Sequence, residues 1–177
     1  DLERLRQVTE PRLRETLEAA WPDPAAVLAI EAEATIGPAG RQIPLTLARR
    51  GVAERIRGTL YLPTEGTAQR YALLVHGAGR TALEDRYGQA GEAVVALRDA
   101  GWGVLTIDAF YTGDVPPNAV PWRRDWFWLT LNPTLVGQRV QDILTALAWL
   151  DGRSSGDELA LVGLGAAGSW GMWAGAL

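Results

Sequence analysis

The sequence contains no cysteine and a single histidine, His76. The missing cysteines exclude disulfide bonds and thiolate zinc sites, although they do not indicate a cellular compartment. One imidazole also limits both acid–base chemistry and metal binding. The sequence therefore predicts no metal site and no cofactor.

Long apolar runs and a strong net charge are missing as well. Charges or glycines interrupt every apolar stretch before it reaches the ~20 residues that span a membrane. The net charge of −4 provides no basic surface for nucleic acid or for an anionic membrane. With 177 residues, of which 47% are hydrophobic, the chain is long enough to bury a core. We expect a soluble protein, cytoplasmic or secreted, with a small-molecule partner and an oligomeric state that composition does not determine.

Residues 1–41 are predicted to form a helical lead-in segment. Leu13, Leu17 and Trp21 recur at helical spacing, and Thr9 and Pro11 are typical of a helix start. The chain begins at Asp1 rather than at methionine and ends at Leu177 within an apolar helical pattern. We therefore expect it to be a piece of a longer protein, cut off after the last predicted helix.

Residues 42–177 have the pattern of an α/β domain. Apolar residues alternate from Ile43 to Leu47 and again from Ile56 to Leu62, which predicts an antiparallel pair. Three short apolar runs at 71–75, 104–107 and 159–162 then predict buried parallel strands. Two amphipathic helices are predicted between them, with apolar stripes Leu83, Tyr87, Ala90, Val94, Leu97 and Val136, Val140, Ile143, Leu147, Leu150. Alternating strands and helices predict a mostly parallel sheet with flanking helices and right-handed crossovers.

Four aromatic residues lie close together in the connection between the second parallel strand and its helix: Trp122, Trp126, Phe127 and Trp128. Long connections of this kind lie at the carboxyl ends of strands, where ligand crevices form. Two interpretations remain open. The rings either plug a hole above the sheet or form a pocket wall or lid.

A glycine-rich segment follows the third parallel strand and matches two different motifs. Gly163, Gly165 and Gly168 fit the G-x-G-x-x-G pattern, which holds a dinucleotide pyrophosphate at a helix N-terminus. The same segment also has the strand–turn–helix position of a G-x-S-x-G nucleophile elbow. The dinucleotide fingerprint normally opens the first strand–helix unit and is followed ~20 residues later by an acidic residue, whereas here nine residues follow Gly168.

A second glycine-rich turn, His76-Gly77-Ala78-Gly79-Arg80, follows the first parallel strand. Glycines let the backbone approach a ligand closely, because no Cβ atom is in the way. In nucleophile-elbow enzymes a turn at this place donates a backbone N–H to the oxyanion of acyl transfer. By itself the motif is equally typical of a tight strand-to-helix turn.

The motifs occur in an order that resembles the α/β-hydrolase superfamily. An antiparallel lead-in precedes the His76-Gly77 strand, then the strand Gly101-Trp102-Gly103-Val104-Leu105-Thr106-Ile107-Asp108, a helix and the glycine turn. The helix and strand before that turn look like those of the acetyl xylan esterase and dienelactone hydrolase branch. The resemblance covers roughly residues 42–177. It implies a carboxylic-ester hydrolase whose oxyanion contacts come from His76, Gly77, Ala78 and Ala166. Arg139 and Asp142 are predicted to form an ordinary ion pair on one helix face.

The sequence departs from that pattern at the elbow itself. Gly163 matches the first elbow glycine, Gly165 stands at the serine position, and Ala167 replaces the second glycine. Because glycine has no side chain, it provides no nucleophile there. Ser169, within an A-x-S-x-G match from Ala167 to Gly171, is an alternative nucleophile. We expect a hydrolase that is degenerate or incomplete in this chain, with a binding or scaffold domain and a dinucleotide-binding domain as alternatives.

Overall fold

The computed structural model describes residues 2–37, 40–63, 68–114, 133–154 and 158–177. Four α-helices lie within these residues, which we label α1 to α4: Leu2–Leu17, Glu92–Asp99, Leu135–Asp151 and Ala167–Ala174. Seven strands, β1 to β7, are Val27–Glu31, Thr35–Gly37, Gly40–Arg49, Ile56–Leu62, Arg70–His76, Trp102–Ile107 and Leu159–Leu164. Over the described residues, no helix combines the length and apolar character needed to cross a membrane.

The seven strands form one sheet in the order β1-β3-β4-β6-β5-β7, with β2 paired to β3. Strands β5, β6 and β7 are mutually parallel, and β4 joins them antiparallel to β6. Strands β3, β5, β6 and β7 therefore run in one direction, whereas β1, β2 and β4 run in the other. The predicted α/β architecture is confirmed, and its parallel strands form the half of the sheet that carries the two glycine-rich turns.

Helices cover both faces of the parallel strands. Ile143 of α3 and Trp170 of α4 pack in the same core as Leu73 of β5. On the opposite face, Val94 of α2 packs with Leu74, the next residue of that strand. Because successive strand residues point to opposite faces, a strand covered on both sides is apolar throughout. This explains the unbroken apolar run from Tyr71 to Val75.

The amino-terminal part of the sheet follows the alternation in the sequence. Strands β3 and β4 pair antiparallel, with Ile43 opposite Leu60 and Leu47 opposite Ile56, as predicted. Residues 1–41 contain strands β1 and β2 in addition to a helix, and both strands pair with β3. The lead-in segment is thus partly built into the sheet.

Two predicted helix starts were wrong. Helix α1 begins at Leu2, so Pro11 lies inside the helix and does not open it. Helix α2 begins only at Glu92, although its predicted stripe starts at Leu83. The carboxylate of Asp85 accepts hydrogen bonds from the N–H groups of Tyr87 and Gln89, at 2.8 and 2.9 Å. Such side-chain bonds hold the backbone in a turn and compete with the helix.

The predicted helix over 136–150 is confirmed as α3. The Thr134 hydroxyl accepts a hydrogen bond from the N–H of Gly137 at 3.0 Å and caps the helix, which ends at Gly152. A side-chain oxygen at this position satisfies one of the free N–H groups of the first turn. Helix α3 packs beneath the parallel strands and leads into the segment before β7.

Candidate functional site

The two glycine-rich turns lie side by side at the carboxyl edge of the sheet. Strands β5 and β7 are parallel neighbours, and His76 at the end of β5 is paired with Leu164 at the end of β7. The turn after β5 and the turn after β7 therefore begin at the same level. We call the space between His76 and Gly165 the turn crevice.

The turn after β5 is held by its own hydrogen bonds. The N–H of Gly77 donates to the Leu164 carbonyl at 3.2 Å, which links it to β7. The N–H of Ala78 donates to Nδ1 of His76 at 3.0 Å, and the N–H of Gly79 donates to the His76 carbonyl at 2.9 Å. These contacts fix both the loop backbone and the imidazole ring of His76.

Residues after β6 support the same turn from the other side. The carboxylate of Asp108, at the end of β6, accepts hydrogen bonds from the backbone N–H of Arg80 at 2.8 Å and from its Nε at 3.2 Å. The N–H of Gly113 donates to the carbonyl of Ala78 at 3.1 Å. The Asp108 side chain is 7% exposed, so its charge lies in a mostly buried place beside that of Arg80. The turn is therefore fixed from two neighbouring strands.

The turn after β7 is sharp, and its residue with positive φ, Gly165, has no side chain. Gly165 has φ +61° and lies directly between β7 and the cap of α4. A Cβ atom added at Gly165 would lie 3.8 Å from Nε2 of His76, with no other contact within 4 Å. A Cβ atom at Gly163 would instead overlap the carbonyl oxygen of Ala167. The strand and helix thus approach closely at Gly163, whereas Gly165 opens towards His76.

The backbone N–H groups predicted to bind an oxyanion differ in whether they already have a hydrogen-bond partner. The N–H groups of Gly77 and Ala78 already donate to Leu164 and His76, respectively. Within the described residues, the N–H of Ala166 has no hydrogen-bond partner, and Ala166 is exposed next to Gly165. An incoming ligand oxygen would find the Ala166 N–H available and the other two occupied.

Ser169 lies away from this turn. It sits in the first turn of α4, where its hydroxyl donates to the Ala166 carbonyl at 2.9 Å. Gly168 precedes it inside the same helix, and Ala167 before that is fully buried. The residue at the strand-to-helix turn is Gly165, four positions earlier.

A second polar cluster lies beneath the residues after β6, and its contacts differ from the ion pair that the sequence predicts. The carboxylate of Asp142 accepts a hydrogen bond from the N–H of Phe110 at 2.7 Å. The guanidinium of Arg139 donates to the Phe110 carbonyl at 2.9 Å and stacks on the ring of Trp170. Arg139 and Asp142 therefore bind the same backbone segment rather than each other, so the predicted ion pair was wrong.

Burial governs the chemistry of this second cluster. It raises the pKa of Asp142 to about 8, against the smaller opposing effect of the Phe110 hydrogen bond. Burial also lowers the pKa of Arg139. A cavity of about 660 Å³ adjoins the cluster, lined by Arg49, Glu54, Phe110 and Asp142 among others. The sequence signal was a carboxylate beside the apolar stripe of this helix, but its partner, Phe110, is 32 positions away.

The aromatic residues Trp122, Trp126, Phe127 and Trp128 lie outside the described residues. Among the residues that are described, no group of histidine, aspartate and glutamate side chains is arranged to hold a metal ion.

Comparison with known proteins identifies the architecture. No protein-family model matches the sequence, and no curated protein matches it. A candidate acetyl xylan esterase from Bacteroides fragilis superposes with a TM-score of 0.75 at 13% identity, over 99% of this chain and 50% of that one. Acetyl xylan esterase 1 from Thermoanaerobacterium gives 0.61 at 14% identity, over 98% of this chain and 58% of that one. Glucuronoyl esterase from Solibacter usitatus superposes with a TM-score of 0.59 at 15% identity, over 93% of this chain and 54% of that one.

The chain spans about half the length of the solved structures that it matches. At these identities the likeness concerns the fold alone. The strand order, the parallel β5–β6–β7 unit and the turn that leads from β7 into α4 agree with it. The chain therefore adopts the α/β-hydrolase fold over the part of that fold that it covers.

Proposed function

We propose that this chain is an α/β protein of the carboxylic-ester hydrolase type. It binds small esters or related ligands but does not cleave them by a serine mechanism. The observation that carries the proposal is Gly165, which occupies the positive-φ turn between β7 and α4 beside His76. In an elbow enzyme the nucleophile stands on such a turn. Glycine at this position offers no oxygen to attack a carbonyl carbon.

The packing around the turn favours an elbow over a dinucleotide-binding loop. In the dinucleotide fingerprint the third glycine allows the helix to pack closely against the strand. Here a Cβ atom at Gly168, the third glycine, would lie 3.6 Å from the Gly163 carbonyl, an ordinary van der Waals distance. The crowded position is Gly163, where a Cβ atom would overlap the Ala167 carbonyl and lie 2.8 Å from the Cα atom of Gly168. Gly163 and Ala167 are the two positions that flank the nucleophile of an elbow.

The class of ligand is suggested by the solved structures of similar fold. Two of them are acetyl xylan esterases, one a candidate, and a third is a glucuronoyl esterase. Their names share a carboxylic ester as substrate. We extend that class to this chain, since the unpartnered N–H of Ala166, an exposed residue next to Gly165, suits a carbonyl oxygen.

Ser169 is a poor nucleophile in this arrangement. Its hydroxyl donates to the Ala166 carbonyl within the same helix, and the only imidazole in the chain is that of His76 on the neighbouring turn. A serine hydroxyl needs an adjacent base to become nucleophilic. We therefore assign Ser169 a local role in the first turn of α4.

An ester-cleavage assay with p-nitrophenyl acetate tests the proposal. We expect the chain to release p-nitrophenol no faster than the uncatalysed reaction, and the Ser169→Ala variant to behave identically. In parallel, methyl acetate at high concentration should raise the melting temperature of the chain, because a ligand that binds only the folded state stabilises it. Saturable turnover that Ser169→Ala abolishes would show that the proposal is wrong. A melting temperature raised by a nicotinamide dinucleotide but not by the ester would favour the dinucleotide hypothesis instead.

A further inference from the structure

We propose that His76 recognises its ligand as a hydrogen-bond donor through Nε2–H, and that the ligand group in the turn crevice is a carboxylate. This inference rests on the proposed function, since it specifies the ligand of the same site. It assigns the imidazole side chain a direct contact with the ligand, in place of the Gly77 and Ala78 backbone N–H groups. Three structural features support it.

The first feature is the hydrogen bond that fixes the protonation of the ring. The N–H of Ala78 donates to Nδ1 of His76 at 3.0 Å, so Nδ1 is the acceptor nitrogen. In a neutral imidazole one nitrogen accepts and the other carries the proton. The proton of neutral His76 therefore lies on Nε2.

The second feature is the unfilled space beside Nε2. Within the described residues Nε2 has no hydrogen-bond partner, and it lies 3.8 Å from the position that a Gly165 Cβ atom would occupy. Because Gly165 has no side chain, the described residues leave this volume open to a ligand. An N–H group facing it selects an acceptor atom, which an ester carbonyl or a carboxylate supplies.

The third feature is a second donor beside the first. Ala166 follows Gly165 directly and is an exposed residue, and its N–H has no hydrogen-bond partner among the described atoms. A carboxylate has two acceptor oxygens on one carbon, whereas an ester has one strong acceptor, its carbonyl oxygen. Hydrogen bonds to an ionised acceptor are also about twice as strong as neutral ones. Two neighbouring donors therefore favour a carboxylate over the corresponding ester.

The same tautomer argues against His76 as a general base. A base must present a free lone pair, but Nε2 carries the proton and Nδ1 is occupied by the Ala78 N–H. A hydroxyl introduced at Gly165 would meet a donor rather than an acceptor. Restoring the serine alone should therefore leave the chain without ester cleavage, because activation would require His76 to give up its bond to Ala78.

The single histidine makes the proposal directly measurable. In a protein labelled with ¹⁵N-histidine, a long-range ¹H–¹⁵N spectrum shows only His76, and we expect the pattern of a proton on Nε2. Addition of sodium acetate should move the Nε2 signal saturably, and in a second, uniformly ¹⁵N-labelled sample it should move the Ala166 amide signal over the same concentration range. Acetamide, uncharged and of similar shape, should move both signals at least tenfold less at equal concentration. A spectrum with the proton on Nδ1, or no response of His76 to acetate, would overturn the proposal.

Two matched variants separate recognition from support of the turn. His76→Asn retains an acceptor near the Nδ1 position for the Ala78 N–H but has no group at Nε2, whereas His76→Gln carries an amide N–H further out. We expect His76→Asn to melt near the unmodified chain and His76→Gln, which loses the acceptor for the Ala78 N–H, to melt at a lower temperature. Acetate binding should be weakened at least tenfold in His76→Asn and less than that in His76→Gln. Equal binding by His76→Asn and the unmodified chain would refute a ligand contact. Absence of ester cleavage in that case would leave the proposed function intact, so the two failures are distinguishable.

Discussion

Gly79 and Gly165 lie in the two turns at the carboxyl edge of the sheet, yet their surroundings differ completely. Both have positive φ, +93° and +61°. A Cβ atom at Gly79 would overlap the backbone of Gly113 and lie 2.7 Å from the Asp108 carboxylate. At Gly165 the same atom would meet only His76, at 3.8 Å.

The difference shows which glycine the packing requires. At Gly79 any side chain is excluded, because the turn after β5 is pressed against the residues after β6. At Gly165 the space admits a side chain, and only the backbone conformation favours glycine. The described residues thus leave room for a side chain at Gly165, which is compatible with the binding role that we propose for the turn crevice.

Gly79→Ala should have the largest effect and tests the crowded half of the comparison. Gly79 has φ +93° and ψ −179°, a region that is essentially restricted to glycine and costs other residues about 1–3 kcal/mol. Overlap with Gly113 adds a further cost of about 1–3 kcal/mol. We expect the free energy of unfolding, measured in urea, to fall by about 3 kcal/mol or more.

Gly51→Ala is the matched control for that experiment. Gly51 has φ +80°, and a Cβ atom there would meet nothing within 4 Å. Gly51→Ala should lower the free energy of unfolding through backbone strain alone, by about 1 kcal/mol. If Gly51→Ala and Gly79→Ala lowered the free energy of unfolding equally, crowding at Gly79 would be unimportant.

Gly163→Ala should have the next largest effect. The added methyl group would overlap the Ala167 carbonyl and push α4 away from β7. Overpacking of this kind costs about 1–3 kcal/mol. Urea unfolding gives the loss, and the Trp170 indole, 5% exposed against the sheet, should report the shifted helix by its fluorescence. An unchanged unfolding free energy would mean that strand and helix approach less closely than described.

Much of this edge could be predicted from sequence, because its signals are local. The alternation from Ile43 to Leu47 fixed the β3–β4 pairing, since one face of that strand is buried. The apolar run before Gly163 marked β7, and Gly165 marked the turn. Each of these signals lies within a few residues of the element that it specifies.

The features that sequence could not provide depend on contacts between distant residues. Whether the N–H of Gly77 is free depends on Leu164, which lies on another strand. The bond between Asp142 and Phe110 likewise exists only because α3 packs beneath the end of β6. The helix predicted from Leu83 failed for a local reason, since the Asp85 side chain binds backbone N–H groups and outweighs the apolar periodicity.

Gly165→Ala tests the open half of the comparison and should have a small effect. The methyl group would occupy the crevice, so the expected cost is the left-handed backbone conformation, about 1 kcal/mol. The loss in urea unfolding should match that of Gly51→Ala within experimental error. A loss as large as that of Gly79→Ala would show that the crevice is crowded and would remove the contrast between the two turns.

Gly168→Ala should have the smallest effect, and of opposite sign. Gly168 lies in the first turn of α4, where a Cβ atom has room beside the Gly163 carbonyl. Alanine favours helix over glycine by up to about 1 kcal/mol, so the variant should unfold at a slightly higher urea concentration. A loop that held a dinucleotide would need its third glycine for close packing of the helix on the strand, and alanine would then destabilise it. A stabilised Gly168→Ala beside a destabilised Gly163→Ala would therefore assign this turn the packing of an elbow, with the crowded positions on either side of Gly165.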